Sequence, residues 1–161
     1  SGTSNYLYSV CFTGADIGYA VGNYGTILKT TNGGTNWTSQ SGTSNRLNSV
    51  YFTDADTGYA VGIGIIIKTT NGGTNWTVLS SGTGMGFLAV YFTDPDTGYV
   101  VGISGTILKT TNGGTNWTIL SSGTTNILYS VYFTNANIGY VAGALGTILK
   151  TTDGGVNWTT L

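Results

Sequence analysis

The chain has 161 residues with five basic, six acidic and no histidine side chains, so charged types make up 7% of it against roughly 25% in an average soluble protein. A net charge near −1 offers no field to phosphate backbones, which argues against nucleic acid as a partner. No apolar run approaches the ~20 residues of a membrane span, and because Ser1-Gly2-Thr3 already opens a repeat, no signal peptide is expected.

In chain order, the first strand signal is LYSVCF, whose alternation puts Leu7, Ser9 and Cys11 on one face and Tyr8, Val10 and Phe12 on the other. GYAVG and ILKT follow, then the octapeptide TTNGGTNW at Thr30–Trp37. The second repeat shows the full set, with strands A to D predicted at Leu47–Phe52, Gly58–Gly62, Ile65–Thr70 and Asn75–Leu79, rich in β-branched and aromatic residues and separated by Gly, Asn and Asp turns. The octapeptide returns as Thr69–Trp76, Thr110–Trp117 and, as TTDGGVNW, Thr151–Trp158. A period of about 40 residues without any helix signal is that of propeller blades. The predicted fold is all-β: one propeller domain spanning 1–161, with four-stranded antiparallel blades at about 1–40, 41–80, 81–121 and 122–161. Both faces of the strands are largely apolar, and stacking blade on blade covers them.

Up-and-down blades put the A–B and C–D turns at one end and the B–C turns and D-to-A crossovers at the other. Turns at the first end are nearly copied between blades. At the second end they vary: Asn23-Tyr24, Ile63, Ile103-Ser104 and Ala144-Leu145 in the B–C turns, with Tyr6, Arg46, Gly86 and Ile127 just before strand A. Copied turns read as scaffold and varied ones as the place where a partner is recognised, although unconstrained drift gives the same pattern. The candidate partner-binding face is therefore Tyr6, Asn23, Tyr24, Arg46, Ile63, Ile103, Ser104, Ile127 and Leu145.

TTNGGTNW resembles the Asp-box of bacterial neuraminidase (BNR) repeats, with Asn32, Asn71 and Asn112 at the Asp position and Asp153 retaining it. The longer stretch from Gly18 to Trp37 is similar to the repeats of photosystem II assembly factor-like propellers, and the similarity covers all four units. The resemblance implies a structural hairpin at Asn32/Trp37, Asn71/Trp76, Asn112/Trp117 and Asp153/Trp158 and argues against catalysis there. A sialidase would need an arginine triad and a tyrosine–glutamate pair, yet Arg46 is the single arginine and glutamate is absent. The assembly factors carry a basic, arginine-bearing patch for docking membrane-protein partners, which Arg46 alone does not reproduce.

Other chemistry is scarcer still. Asp54/Asp56 and Asp94/Asp96 sit two residues apart in one turn, too close to straddle a sugar, and they lack the further oxygen ligands of a calcium loop, so Asx turns are expected. Cys11 has no histidine to activate it. Lys29, Lys68, Lys109 and Lys150 read as exposed or snorkelling, in weak pairs with Asp16, Asp56 and Asp96. No enzyme activity, metal or cofactor is expected. Asn36-Trp37-Thr38 and its counterparts are glycosylation sequons, meaningful only in a eukaryotic secretory setting; the composition is otherwise compatible with a secreted or periplasmic bacterial protein.

The function expected is a non-enzymatic scaffold for protein interaction or assembly. A multivalent carbohydrate-binding propeller, or an amplified or engineered repeat array without a selected ligand, remain open. Ring closure is open as well. Four blades would need small residues such as Ser9, Ser49, Ala89 and Ser130 around a narrow axis, whereas a homodimer would complete eight blades by isologous contacts of apolar end faces at Leu7–Phe12 and Tyr129–Phe133. The homodimer is favoured.

Overall fold

The structure, a computed structural model, describes residues 2–161. Each repeat forms one antiparallel meander. The first blade comprises β1 (Leu7–Phe12), β2 (Gly18–Gly22), β3 (Ile27–Thr30) and β4 (Thr38–Gln40), and the second β5 (Leu47–Phe52), β6 (Gly58–Gly62), β7 (Ile65–Thr69) and β8 (Thr77–Leu79). The third comprises β9 (Phe87–Phe92), β10 (Gly98–Gly102), β11 (Ile107–Thr110) and β12 (Thr118–Leu120), and the fourth β13 (Leu128–Phe133), β14 (Gly139–Gly143), β15 (Ile148–Thr151) and β16 (Thr159–Thr160). Every sheet is built from four consecutive strands. The all-β blade architecture expected from the repeats is the one observed.

The outermost strand is shorter than predicted. Asn75 and Trp76 belong to the turn of the octapeptide, and β8 begins only at Thr77. Strand A departs from simple alternation as well. In all four blades a bulge at Tyr8, Asn48, Leu88 or Tyr129 interrupts pairing with strand B, and the extra residue resets the faces. Leu47, Val50 and Phe52 consequently share the buried side in β5, where strict alternation would have separated Leu47 from the other two.

The chain divides into two compact units, one running to Leu79 and one from Ser80 to Leu161. In the first, Tyr19, Val21 and Ile27 of one blade pack against Leu47, Val50 and Phe52 of the next, with Ile67 and Trp76 completing the core. Each such side chain, fully buried, contributes about 1.5–3 kcal/mol. The second unit repeats the junction with Tyr99, Val101 and Ile107 against Leu128, Val131 and Phe133.

A polar clasp locks each junction. Tyr19 stacks on Phe52 with ring centroids 3.9 Å apart, its hydroxyl donates to the Gly72 carbonyl at 2.9 Å, and Lys29 Nζ donates to the same oxygen at 2.7 Å. In the second unit Tyr99 stacks on Phe133 at 4.1 Å, and Tyr99 and Lys109 both donate to the Gly154 carbonyl at 2.7 Å. Burial, reinforced by the Asp94 and Asp153 charges, pushes the Tyr99 phenol up to about 12, so it stays a donor. Lys29 and Lys109 thus serve the neighbouring blade's hairpin carbonyl and lie over the Tyr19 and Tyr99 rings. This corrects the expected pairing with aspartates of their own turns. Ser9 also works at a junction, where its hydroxyl accepts from the Val50 N–H at 3.2 Å.

Candidate functional site

The copied end of each blade is a closed hydrogen-bond network. Asn32 Oδ1 accepts from the Asn36 N–H at 2.9 Å and from the Thr30 hydroxyl at 3.1 Å, while the Gly34 N–H donates to Thr30 Oγ1 at 2.9 Å. Gly33 and Gly34 hold positive φ of 65° and 86°, which a side chain would strain, and the Trp37 indole lies on Gly34. Asp153 keeps the same geometry. The backbone N–H and side-chain amide of Asn157 and the Thr151 hydroxyl hold its carboxyl well down, at about 2. In the A–B turn, Asp54 accepts from the Thr57 and Asp56 N–H groups, Thr57 contributing most to its lowered pKa. These carboxylates are spent on their own turns. Among the described residues no group of three or more His, Cys, Asp or Glu side chains comes together. Cys11 is half-buried at the junction, and burial pushes its thiol up, away from nucleophilic reactivity.

The varied end is built differently. Its two kinds of variable residue are joined in every blade by one backbone bond: the Asn23 N–H to the Tyr6 carbonyl (2.9 Å), Ile63 to Arg46 (3.1 Å), Ile103 to Gly86 (3.0 Å) and Ala144 to Ile127 (2.7 Å). Gly22 permits this approach, since a Cβ there would run into the Tyr6 carbonyl. In three blades the B–C turn places a side chain in the left-handed region, at Tyr24 (φ 54°), Ser104 (55°) and Leu145 (54°), which costs roughly 1–2 kcal/mol for a non-glycine residue. Tyr24 and Leu145 are 78% and 91% exposed, so neither ring nor isobutyl group repays that cost by burial. The second blade, one residue shorter, makes the turn without such a residue and leaves Ile63 exposed.

In the first unit the bulge residues join this end. The Arg46 guanidinium lies 4.1 Å from the Tyr8 ring centre, its Nε donates to Asn48 Oδ1 at 2.8 Å, and the Tyr8 hydroxyl donates to Asn23 Oδ1 at 3.0 Å. Two blades thereby contribute side chains to the surroundings of one guanidinium. Tyr6, whose carbonyl accepts from the Asn23 N–H, is 74% exposed at the same end. In the second unit Ser104 lines an open groove of 750 Å³ with Met85, Ile119, Ser122 and Thr124, and Ile103, Ile127 and Leu145 are exposed. Tyr8 and Asn48 escaped the sequence reading because strict alternation assigned them to the sheet; the signal was there, since the second position of LYSV, LNSV, FLAV and LYSV takes three residue types.

The model of the photosynthesis system II assembly factor YCF48 family matches residues 2–85 and again 79–161. The chain belongs to that family. Among solved structures, YCF48 from Cyanidioschyzon merolae is similar at 25% identity with a TM-score of 0.79, over 99% of this chain and 57% of that one. A YCF48 bound to D1 peptide is 16% identical with a TM-score of 0.70, over 99% of this chain and 82% of the other. An ancestral GH74 enzyme shares the fold at 20% identity and a TM-score of 0.86, over 99% of this chain and 24% of the enzyme. No curated protein sequence matches the chain. It spans just over half the length of the Cyanidioschyzon YCF48. Among the described residues no helix is long and apolar enough to cross a membrane.

Proposed function

We propose that the chain is a non-enzymatic scaffold of the YCF48 family that holds a protein segment at the varied end of its blades. The observation carrying this reading is the Tyr8–Arg46–Asn48–Asn23 cluster, which sets a guanidinium over an aromatic ring at the same end of the blades as exposed Tyr6 and Tyr24. Arginine and tyrosine are among the residue types that dominate protein recognition, and at the copied end the Asn32, Asp54 and Asp153 side chains are held by their own turns. The related YCF48 structure with a D1 peptide supplies a probe. Absence of histidine and glutamate supports the non-enzymatic part, and the GH74 likeness extends to fold alone. A second copy of the chain is the other partner proposed, giving eight blades across two chains.

The test is equilibrium titration with that D1 peptide, followed by fluorescence of the labelled peptide. Saturable binding that weakens at least tenfold in Arg46→Ala and in Tyr8→Ala supports the reading. Binding untouched by both variants, absence of binding, or selective capture of an oligosaccharide from a glycan array overturns it.

A further inference from the structure

The junction clasp recurs with the same chemistry in both units, and its two halves also occur alone. The acceptor half lies on the first blade. Val10 is 61% exposed, Leu7 40% and Phe12 45%, whereas the equivalent Val50, Leu47 and Phe52 are covered by the first blade's Tyr19 face. Gly33 is exposed where Gly72 and Gly154 are buried and receive two donors each. The groove beside it, 410 Å³, is lined by Leu7, Val10, Ala20, Leu28 and Trp37. The donor half lies on the fourth blade. Ile148 is 46% exposed where the equivalent Ile27 and Ile107 are fully buried, and Lys150 sits over the half-buried Tyr140 ring at 5.8 Å, much as Lys29 and Lys109 sit over Tyr19 and Tyr99.

We propose that these halves meet head to tail between two copies of the chain: Tyr140 of one copy stacks on Phe12 of the other, Tyr140 and Lys150 donate to the Gly33 carbonyl, and Ile148 covers Val10. The inference rests on the self-association proposed above and gives it an interface. A second blade of this type is the occupant because the exposed groups are, residue for residue, those that already clasp a blade in each unit. Each junction runs head to tail, and the pair of them keeps the isologous symmetry expected of a twofold dimer. The face expected at Tyr129–Phe133 is replaced by Tyr140, Ile148 and Lys150, since Leu128, Val131 and Phe133 are already buried against the third blade. Two such junctions related by a twofold axis close a dimer.

Complementation tests this geometry by sedimentation equilibrium. The parent chain at 50 μM is expected at twice its 16.7 kDa mass. Val10→Asp removes the acceptor half and Ile148→Asp the donor half. Both sites are solvent-exposed, so the fold should survive, as circular dichroism will verify. Each variant alone is expected at the single-chain mass, whereas an equimolar mixture regains a 1:1 heterodimer through the one intact junction. The milder pair Tyr140→Phe with Lys150→Met should weaken parent dimerisation at least tenfold. The proposal is overturned by a parent that stays monomeric at 200 μM, including one in which both variants lower the melting temperature because the halves meet within one chain. Dimers that persist in either single variant, or a mixture that stays monomeric, also overturn it. Peptide titration of the monomeric variants is read separately, so loss of this interface leaves the peptide-binding reading standing or falling by itself.

Discussion

Trp76 and Trp37 occupy the same position of the same octapeptide but differ in cover, and that difference predicts unequal costs of truncation. Trp76 is 8% exposed, meets Phe52 edge-on at 6.0 Å and 89°, and has Gly42 against its Cβ. Truncating a buried tryptophan to alanine costs about 3–5 kcal/mol. Its indole Nε1 is buried without an acceptor, a burden of roughly 1–3 kcal/mol that truncation removes, which places Trp76→Ala near the lower end, about 3 kcal/mol. Trp37 keeps the edge contact with Phe12 at 6.1 Å and 87° but opens on one side to the 410 Å³ groove. Trp37 is only partly buried, so less of its area is removed from water and Trp37→Ala should cost less. At ~2–4 °C per kcal/mol for a chain of this size, thermal unfolding followed by near-ultraviolet circular dichroism should show a fall of about 6–12 °C for Trp76→Ala and a smaller one for Trp37→Ala, read at a concentration where the parent is monomeric. Equal losses would refute the burial argument. A Trp76→Ala protein that keeps its melting temperature and loses peptide binding would show the residue to be a binding group instead.

At the second-unit clasp, Tyr99→Phe keeps the ring stack on Phe133 and leaves Lys109 on the Gly154 carbonyl, so urea unfolding should show a loss of only about 1 kcal/mol. Tyr99→Phe with Lys109→Met leaves that buried carbonyl without either donor, and the double variant should lose more than the two single variants summed; simple additivity counts against a shared acceptor. Tyr24→Gly and Leu145→Gly relieve left-handed strain, and after the greater unfolded-state freedom of glycine each should raise stability by about 0.5–1 kcal/mol. Destabilisation in urea would mean these exposed side chains pack against something. Asp153, held at about 2 when folded against roughly 3.9 unfolded, contributes stability that is complete above pH 4 and lost as pH falls toward 2. Asp153→Asn, which restores the residue of the other three hairpins, should flatten that acid limb in chemical unfolding; matching slopes for parent and variant would contradict the assignment.

The fold was legible because local and long-range signals agree in this chain. Each turn is specified by its own Asn, Asp and Gly residues, each strand by β-branched and aromatic types, and the fourfold writing of one unit identifies blades. The strand bulge was not legible, because one extra residue in LYSV leaves propensity unchanged and shows only as a reset of which side chains are buried. The lysine role was hidden for a related reason. Lys29 and Lys109 act on a glycine carbonyl some 40 residues away, and a backbone oxygen has no residue type by which a sequence could announce it. Of the candidate face, up-and-down topology put Tyr6, Asn23, Arg46 and Ile63 at one end of the blades, while the backbone bonds that pair them came from the structure. The Tyr8 and Asn48 partners of Arg46 arise from the bulge and from the packing of two blades, which periodicity does not encode.

The scaffold reading is tested most directly by mapping amide chemical shifts while the D1 peptide is titrated into the isotopically labelled chain. The account predicts saturable shifts that cluster at Tyr6, Tyr8, Asn23, Tyr24, Arg46, Asn48 and Ile63, with the hairpins at Thr30–Trp37 and Thr69–Trp76 unmoved. Shifts concentrated on those hairpins, or no shifts at millimolar peptide, would contradict it.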